Sequence, residues 1–170
     1  MAKISRPKSR RYLFQSLYAR STGAGEMDAG TFEASFFESE YVESLDRPYI
    51  DDAYHGVIER QSLLLNILER YAPRFAMESI PRANLVIACL ALYEMFFLRI
   101  DTIPEKVVIN EALELAKTYS DPAFKTLLNG VLNAAKNDRE TILSSQETLI
   151  RKPYTFLFAD HVAETAPSES

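Results

Sequence analysis

The amino-acid sequence predicts an all-α fold, a single-domain helical bundle of about six to seven helices. Apolar residues recur at intervals of three and four along most of the chain, and no stretch alternates in the manner of a β-strand. Prolines and capping residues stand where the apolar segments begin. At 170 residues, of which 47% are hydrophobic, the chain is long enough to bury one substantial core.

The first predicted helix covers residues 9–21. Its apolar stripe is formed by Leu13, Phe14, Leu17 and Tyr18. Gly23 and Gly25 then break the helical pattern. An acidic helix that ends near Leu45 follows, and it carries Phe32, Phe36 and Phe37.

A third helix is predicted from Pro48, which suits a first helical turn, to about Tyr71. Its apolar side is formed by Ile50, Ala53, Tyr54, Val57, Leu64, Leu65 and Leu68. Gly56 costs about 1 kcal/mol inside a helix. We therefore expect a neighbouring helix to approach closely at Gly56.

The fourth helix, about residues 82–99, is apolar on nearly every side and is predicted to be central. Glu94 interrupts it, and we expect this carboxylate to be paired at the edge of the bundle rather than catalytic. Pro104 opens a fifth helix. Asp121 is expected to cap a sixth, with Pro122 at its first position.

We divide the chain into a helical domain of residues 1–146 and a C-terminal extension of residues 147–170. The extension is expected to be partly disordered, because residues 163–170 lack the apolar pattern of the rest. Its four large apolar residues are expected to dock on the body of the protein: Tyr154, Phe156, Leu157 and Phe158.

The net charge of −5 conceals a strong asymmetry. The first 20 residues contain six cations and no acid: Lys3, Arg6, Lys8, Arg10, Arg11 and Arg20. Residues 21–54 contain nine acids against Arg47. Exposed cations at a helix N-terminus cost about 0.3–1 kcal/mol each. Their placement at the start of the first helix is therefore typical of a surface that serves a partner.

The charge pattern alone leaves two interpretations open, nucleic-acid binding and a solubilising basic tail. Arginine offers a planar fork for phosphate and stacks on unpaired bases. Tyr12, Gln15 and Tyr18 lie nearby in the sequence and offer stacking and base-edge hydrogen bonds.

The sequence contains no recognisable catalytic, metal or cofactor motif. His55 and His161 have no further ligands at metal-binding spacing, and Cys89 lies inside the apolar fourth helix. There is neither a glycine-rich phosphate loop nor a nucleophile elbow. Without a signal peptide or an apolar span of membrane length, we expect a cytoplasmic protein that has no membrane partner and is not an enzyme.

Five segments, in order, resemble the NusB family of transcription antitermination factors. They are residues 10–18, 49–57, 91–95, 103–117 and 129–132. The most specific is the run Ile-Asn-Glu-Ala-Leu-Glu-Leu-Ala-Lys at residues 109–117. The resemblance covers about residues 6–136. One departure is the uncharged segment 84–90, where the family commonly carries an acid and one or two basic residues.

The resemblance implies a NusB-like domain of two packed helical subdomains. It implies binding to the single-stranded boxA element of nascent ribosomal RNA leaders, together with ribosomal protein S10, within the RNA polymerase antitermination complex. Carried over, the RNA contacts fall on two groups of residues: Arg6, Lys8, Arg10, Arg11, Gln15 and Tyr18 on the first helix, and Tyr119, Lys125 and Asn129 around the last matched turn. The alternative is that Tyr18 and Tyr119 mainly pack against other side chains of the fold and that Asn129 only forms hydrogen bonds with the backbone.

Two other functions stay open at this point. If the chain is a protein-interaction scaffold, its basic N-terminal segment docks on an acidic surface. Where that surface is the acidic segment 21–54 of a second copy, the chain forms a homodimer. NusB-like domains also occur fused to ribosomal RNA cytosine methyltransferases. Such enzymes need a nucleotide-binding α/β domain and a catalytic Cys motif, neither of which this sequence shows.

Overall fold

The computed structural model of the chain describes residues 3–24 and 39–159. Within these ranges the protein is all-α, without a strand, and six of its helices have eleven or more residues. The helices are α1 (Arg6–Ala19), α2 (Ser39–Glu43), α3 (Arg47–Glu59), α4 (Gln61–Tyr71), α5 (Arg82–Phe96), α6 (Glu105–Tyr119), α7 (Pro122–Asn137), α8 (Arg139–Ser144) and α9 (Gln146–Leu149). A π-helical turn (Arg20–Ala24) and a 3-10 turn (Met77–Ser79) complete the order. None of these helices is long and apolar enough to cross a membrane.

Two predictions fall outside the described residues. The acidic helix was expected to carry Phe32, Phe36 and Phe37, and only α2, close to its expected end, is described. The expected disorder of residues 163–170 lies beyond the last described residue, Ala159.

Helix α1 begins at Arg6, three residues before the predicted start, because the sequence supplies a cap and a proline there. The Ser5 hydroxyl accepts a hydrogen bond from the Lys8 N–H at 3.3 Å, and Pro7 lies in the first turn. The π-helical turn that follows α1 reaches Gly23, whose φ of 95° is favourable for glycine.

The prediction of one helix from Pro48 to Tyr71 is wrong, since α3 and α4 are separate helices. Arg60, between them, has φ −102° and ψ 17°, outside the α-helical region. Apolar residues keep helical spacing on both sides of Arg60, so the pattern gave no sign of the break. The start of α3 is as expected: Pro48 lies in the first turn, and the Asp46 carboxylate accepts from the Tyr49 N–H at 3.3 Å.

Helix α5 is the centre of the fold, as its apolar sequence predicted. Every residue of it from Asn84 to Phe96 is buried. It packs against α1 and α3 on one side and against α4, α6 and α7 on the other, so two groups of helices share one hydrophobic core. The predicted cap of α7 is confirmed, because the Asp121 carboxylate accepts from the Phe124 N–H at 2.8 Å.

Two side-chain amides of α4 hold the C-terminal segment on the body. Asn66 Oδ1 accepts from the backbone N–H groups of Arg151 and Lys152 at 3.0 and 3.1 Å, and its Nδ2 donates to the Lys152 carbonyl at 2.7 Å. Gln61 exchanges two hydrogen bonds with the backbone of Phe158, at 3.0 and 3.2 Å. The rings of Tyr154 and Phe158 are thereby buried in the core. A domain boundary at residue 146 stays a prediction.

The close approach predicted at Gly56 is confirmed. A Cβ placed on Gly56 of α3 would overlap the ring of Tyr93 on α5. The Tyr93 hydroxyl in turn donates to Asp52, one turn before Gly56, at 2.6 Å. The missing side chain therefore lets α3 lie directly on a tyrosine of the central helix.

We predict that Gly56→Ala lowers the free energy of unfolding by about 1–3 kcal/mol, because the added methyl group forces α3 away from α5. The matched control is Gly130→Ala in α7, where an added Cβ meets nothing within 4 Å. That change is expected to be neutral or to stabilise by up to about 1 kcal/mol through helix propensity. Urea unfolding of both variants measures the difference, and equal effects at the two positions would contradict the close approach.

Candidate nucleic-acid interface

Arg10 lies on the inward side of α1 and forms a buried ion pair with Glu94 of α5. Its Nε donates to the two carboxylate oxygens at 3.2 and 3.0 Å, and its Nη2 donates to Oε1 at 2.7 Å. The Tyr49 hydroxyl of α3 donates to Glu94 Oε2 at 3.0 Å. The Arg10 and Glu94 side chains are only 4% and 1% exposed. Three helices therefore meet at one carboxylate.

The protonation states of Arg10 and Tyr49 both depend on the negative charge of Glu94. Burial disfavours the charged guanidinium of Arg10, but the hydrogen bonds and the negative charge of Glu94 outweigh it and raise the pKa of Arg10. Burial and the adjacent Glu94 together raise the pKa of Tyr49 well above its ordinary value. Tyr49 consequently stays protonated and remains a donor to the carboxylate.

Arg6 is also paired with carboxylates of the protein itself. Its Nη2 donates to Asp46 at 2.9 Å and to Asp101 at 3.1 Å. Its guanidinium lies 4.3 Å from the centre of the Tyr49 ring. Arg6 therefore ties the start of α1 to the residue that caps α3.

These positions correct the expectation for the first helix. Arg10 has almost no surface with which to contact RNA, because its side chain is buried and its guanidinium is paired with Glu94 and, at 3.6 Å, with Glu111. Arg6 is half-buried and neutralised by two carboxylates. Glu94 is paired as expected, but in the core rather than at the edge of the bundle.

Lys8 and Arg11 lie on the outward side of α1 around the ring of Tyr41. The Lys8 ammonium is 5.9 Å from the ring centre, and the Tyr41 hydroxyl donates to the Lys8 carbonyl at 2.8 Å. Burial raises the pKa of Tyr41, while the charge and hydrogen bond of Arg11 oppose that rise. Among the described residues, neither Lys8 nor Arg11 forms an ion pair with a carboxylate. In the part of the chain that the structure describes, their positive charge therefore has no carboxylate counter-ion.

Three further predicted residues meet at the C-terminal half of α1. Gln15 Nε2 donates to the Tyr119 hydroxyl at 3.1 Å, which joins α1 to the end of α6. The buried Phe14 ring lies between the other two rings, 6.1 Å from Tyr18 and 4.6 Å from Tyr119. Tyr18 is 41% exposed and Tyr119 is half-exposed, so both rings offer surface to a partner.

Lys125 and Asn129 share one side of α7 but are not brought into contact with α1. Lys125 is half-buried, and Asn129 is exposed. Asn129 Oδ1 accepts a hydrogen bond from Asn133 Nδ2 at 3.1 Å. Within the described ranges no hydrogen bond, ion pair or ring contact connects either residue to Tyr119. They stand at the margin of the candidate surface.

The outward side of α1 thus combines exposed aromatic rings with two cations that have no carboxylate partner within residues 3–24 and 39–159. We call it the α1 face and define it by Lys8, Arg11, Gln15, Tyr18, Tyr41 and Tyr119. Cations bind phosphates, and exposed rings stack on unpaired bases. The sequence does not identify Tyr41 as part of this surface, because its contact with Lys8 joins residues 33 positions apart in the chain.

The described part of the structure shows neither a metal-binding cluster nor a reactive thiol. No group of three or more His, Cys, Asp or Glu side chains there has an arrangement suited to a metal ion. Cys89 is fully buried, and burial raises its pKa to about 12, which disfavours the reactive thiolate.

Comparison with known proteins gives a consistent picture. The family model described as "NusB family" matches residues 7–137. "Transcription antitermination protein NusB" of Clostridium perfringens (strain SM101 / Type A) is 36% identical over 130 residues, covering 76% of this chain and 95% of the relative. The protein of the same name from Trichlorobacter lovleyi is 32% identical over 128 residues, covering 75% and 87%. No solved structure gives a significant match.

We predict that Glu94→Gln lowers the free energy of unfolding by about 3–5 kcal/mol, because it removes the buried counter-ion of Arg10 and leaves only the longer contact with the half-buried Glu111, at 3.6 Å. Glu114→Gln, on the exposed side of α6, is the matched control and should change stability by no more than about 0.5 kcal/mol. Chemical denaturation measures both. In the double variant Arg10→Met with Glu94→Gln, most of the loss should be recovered. Equal stabilities of the two Glu→Gln variants would contradict a structural role for the pair.

Proposed function

Because the chain belongs to the NusB family, we propose that it acts as a transcription antitermination factor through binding rather than catalysis. Its RNA ligand is the single-stranded boxA element of ribosomal RNA leaders. It works with ribosomal protein S10 in the RNA polymerase antitermination complex, in the cytoplasm.

The observation that carries the RNA proposal is the composition of the α1 face. Lys8 and Arg11 lie beside one another without a carboxylate partner among the described residues. Tyr18, further along α1, and Tyr119, at the end of α6, expose their rings. A strand that follows α1 meets phosphate-binding charge first and a stacking surface next. Stacking of a base on an aromatic side chain contributes about 1–3 kcal/mol.

The geometry favours an unpaired strand over a duplex. Tyr18 and Tyr119 offer ring faces, and only an unstacked base leaves its own face open to them. Gln15 holds the Tyr119 hydroxyl, so that ring is positioned before a ligand arrives. Lys125 and Asn129 lie six and ten residues beyond Tyr119 and are proposed as contacts at the edge of the RNA path.

The proposed S10 contact rests on family membership. The uncharged segment 84–90 differs from the usual family pattern, and all seven of its residues are buried in α5. Its side chains therefore pack in the core, and the S10 surface is proposed to lie on other residues.

We predict that Arg11→Gln weakens binding of a boxA-like single-stranded RNA severalfold and lowers the salt slope by about 0.7, since one phosphate contact is lost. Tyr18→Leu should weaken binding without changing that slope, because it removes stacking and no charge. The control is Arg70→Gln, which removes an equal charge from the exposed last turn of α4.

Fluorescence anisotropy titrations at several salt concentrations, with and without S10, measure affinity and slope together. Circular dichroism establishes that each variant keeps its helices. The proposal fails if wild-type protein does not bind the RNA with or without S10. It fails equally if Arg11→Gln and Tyr18→Leu bind as tightly as Arg70→Gln.

A further inference from the structure

A cleft of about 390 Å³ opens where α1 ends, next to the α1 face. Its walls come from three distant parts of the chain: Arg20 and Thr22 of the π-helical turn, Arg82 at the start of α5, and Phe156 of the C-terminal segment. Its size lies in the range of ligand-binding clefts, about 300–1,000 Å³.

Two guanidinium groups meet in this cleft, and none of its described lining residues is an Asp or a Glu. Arg82 Nη1 donates to the Ser21 carbonyl at 2.9 Å and, at 3.4 Å, to the carbonyls of Phe156 and Leu157. Arg20 Nη1 donates to the Tyr54 hydroxyl at 3.3 Å. Within the described residues neither arginine forms an ion pair.

Arg20 has a further unsatisfied donor. Its Nε is buried and has no hydrogen-bond partner in the described part of the chain. A buried donor without a partner costs about 1–3 kcal/mol. Together with the adjacent Arg82, this makes the cleft favourable for an oxyanion.

The cleft lies close to the α1 face. The Ser21 hydroxyl donates to the Tyr18 carbonyl at 2.7 Å, so the cleft begins one turn beyond the exposed Tyr18 ring. On the other side, the Ser120 hydroxyl donates to Asn84 at 2.6 Å. Ser120 directly follows Tyr119, and Asn84 lies two residues after Arg82. This hydrogen bond therefore brings Arg82 of the cleft close to Tyr119 as well.

We propose that the cleft binds a phosphate of the RNA strand beyond the nucleotides held on the α1 face. Arg20 and Arg82 bind the phosphate oxygens, since a guanidinium presents a planar fork that matches them. The half-exposed Phe156 ring supports the adjoining base. This inference rests on the proposed RNA-binding function. It extends the RNA path beyond the α1 face to a cleft that the C-terminal segment helps to form.

The test compares a short boxA-like RNA with two longer ones, extended by three nucleotides at the 5′ or the 3′ end. Full-length wild-type protein should bind one of the extended RNAs about tenfold more tightly than the short one, as expected for one charge-assisted contact. Thr22→Glu should abolish this gain, because a carboxylate in the cleft neutralises the guanidinium groups. The matched control, Thr22→Gln, should retain it.

Thr22 is exposed, so neither substitution disturbs the core. Arg82→Gln provides a second variant and should also abolish the gain, whereas Arg70→Gln should not. The readout is the ratio of the affinities for the long and the short RNA. A general change in the charge of the protein alters both affinities alike and therefore leaves this ratio unchanged. If no RNA binds wild-type protein, the proposed function itself fails. If the short RNA binds but neither extension adds affinity, or if Thr22→Glu and Thr22→Gln gain equally, only the cleft proposal is overturned.

Discussion

The ion pair between Arg10 and Glu94 is the interaction on which the rest of the structure depends. An unpaired carboxylate in the middle of the most apolar helix would carry a large desolvation cost. Arg10 and Tyr49 together satisfy that carboxylate, and in doing so they bring α1 and α3 onto α5. This buried charge therefore fixes the register of α1 on the body, where the apolar residues Leu13, Phe14 and Leu17 pack into the core.

That position decides which cations of the basic segment remain outside. Arg6 and Arg10 lie one helical turn apart and both engage carboxylates of the body. Lys8 and Arg11 point to the other side of the same helix, where no described carboxylate pairs with them. One pair of cations in the positive segment thus anchors the helix, and the other pair is the one proposed to bind RNA.

Local chemistry made much of the fold predictable. Pro48, Pro104 and the capping residue Asp121 marked helix starts correctly, and Gly56 signalled the contact with Tyr93. The break at Arg60 was not predictable, because apolar spacing continues on both sides of it.

The candidate site was predictable only in part. Helical spacing places Lys8, Arg11, Gln15 and Tyr18 near one side of α1, but charge alone does not reveal which arginine faces inward. The acid that interrupts α5 was the available signal, since a buried carboxylate requires a cation. Pairing it with Arg10, 84 residues earlier, required the tertiary structure. The cleft at Arg20 and Arg82 depends on contacts of the same long range.

The most direct test of this account is photo-crosslinking of the full-length protein to a boxA-like single-stranded RNA, with the attached residues located by mass spectrometry. The α1 face predicts attachment at Tyr18 and Tyr119, the two rings that pack on Phe14 at the C-terminal half of α1. Crosslinks confined to aromatic residues elsewhere, such as the exposed Phe75, would contradict the account and place the RNA on a different surface.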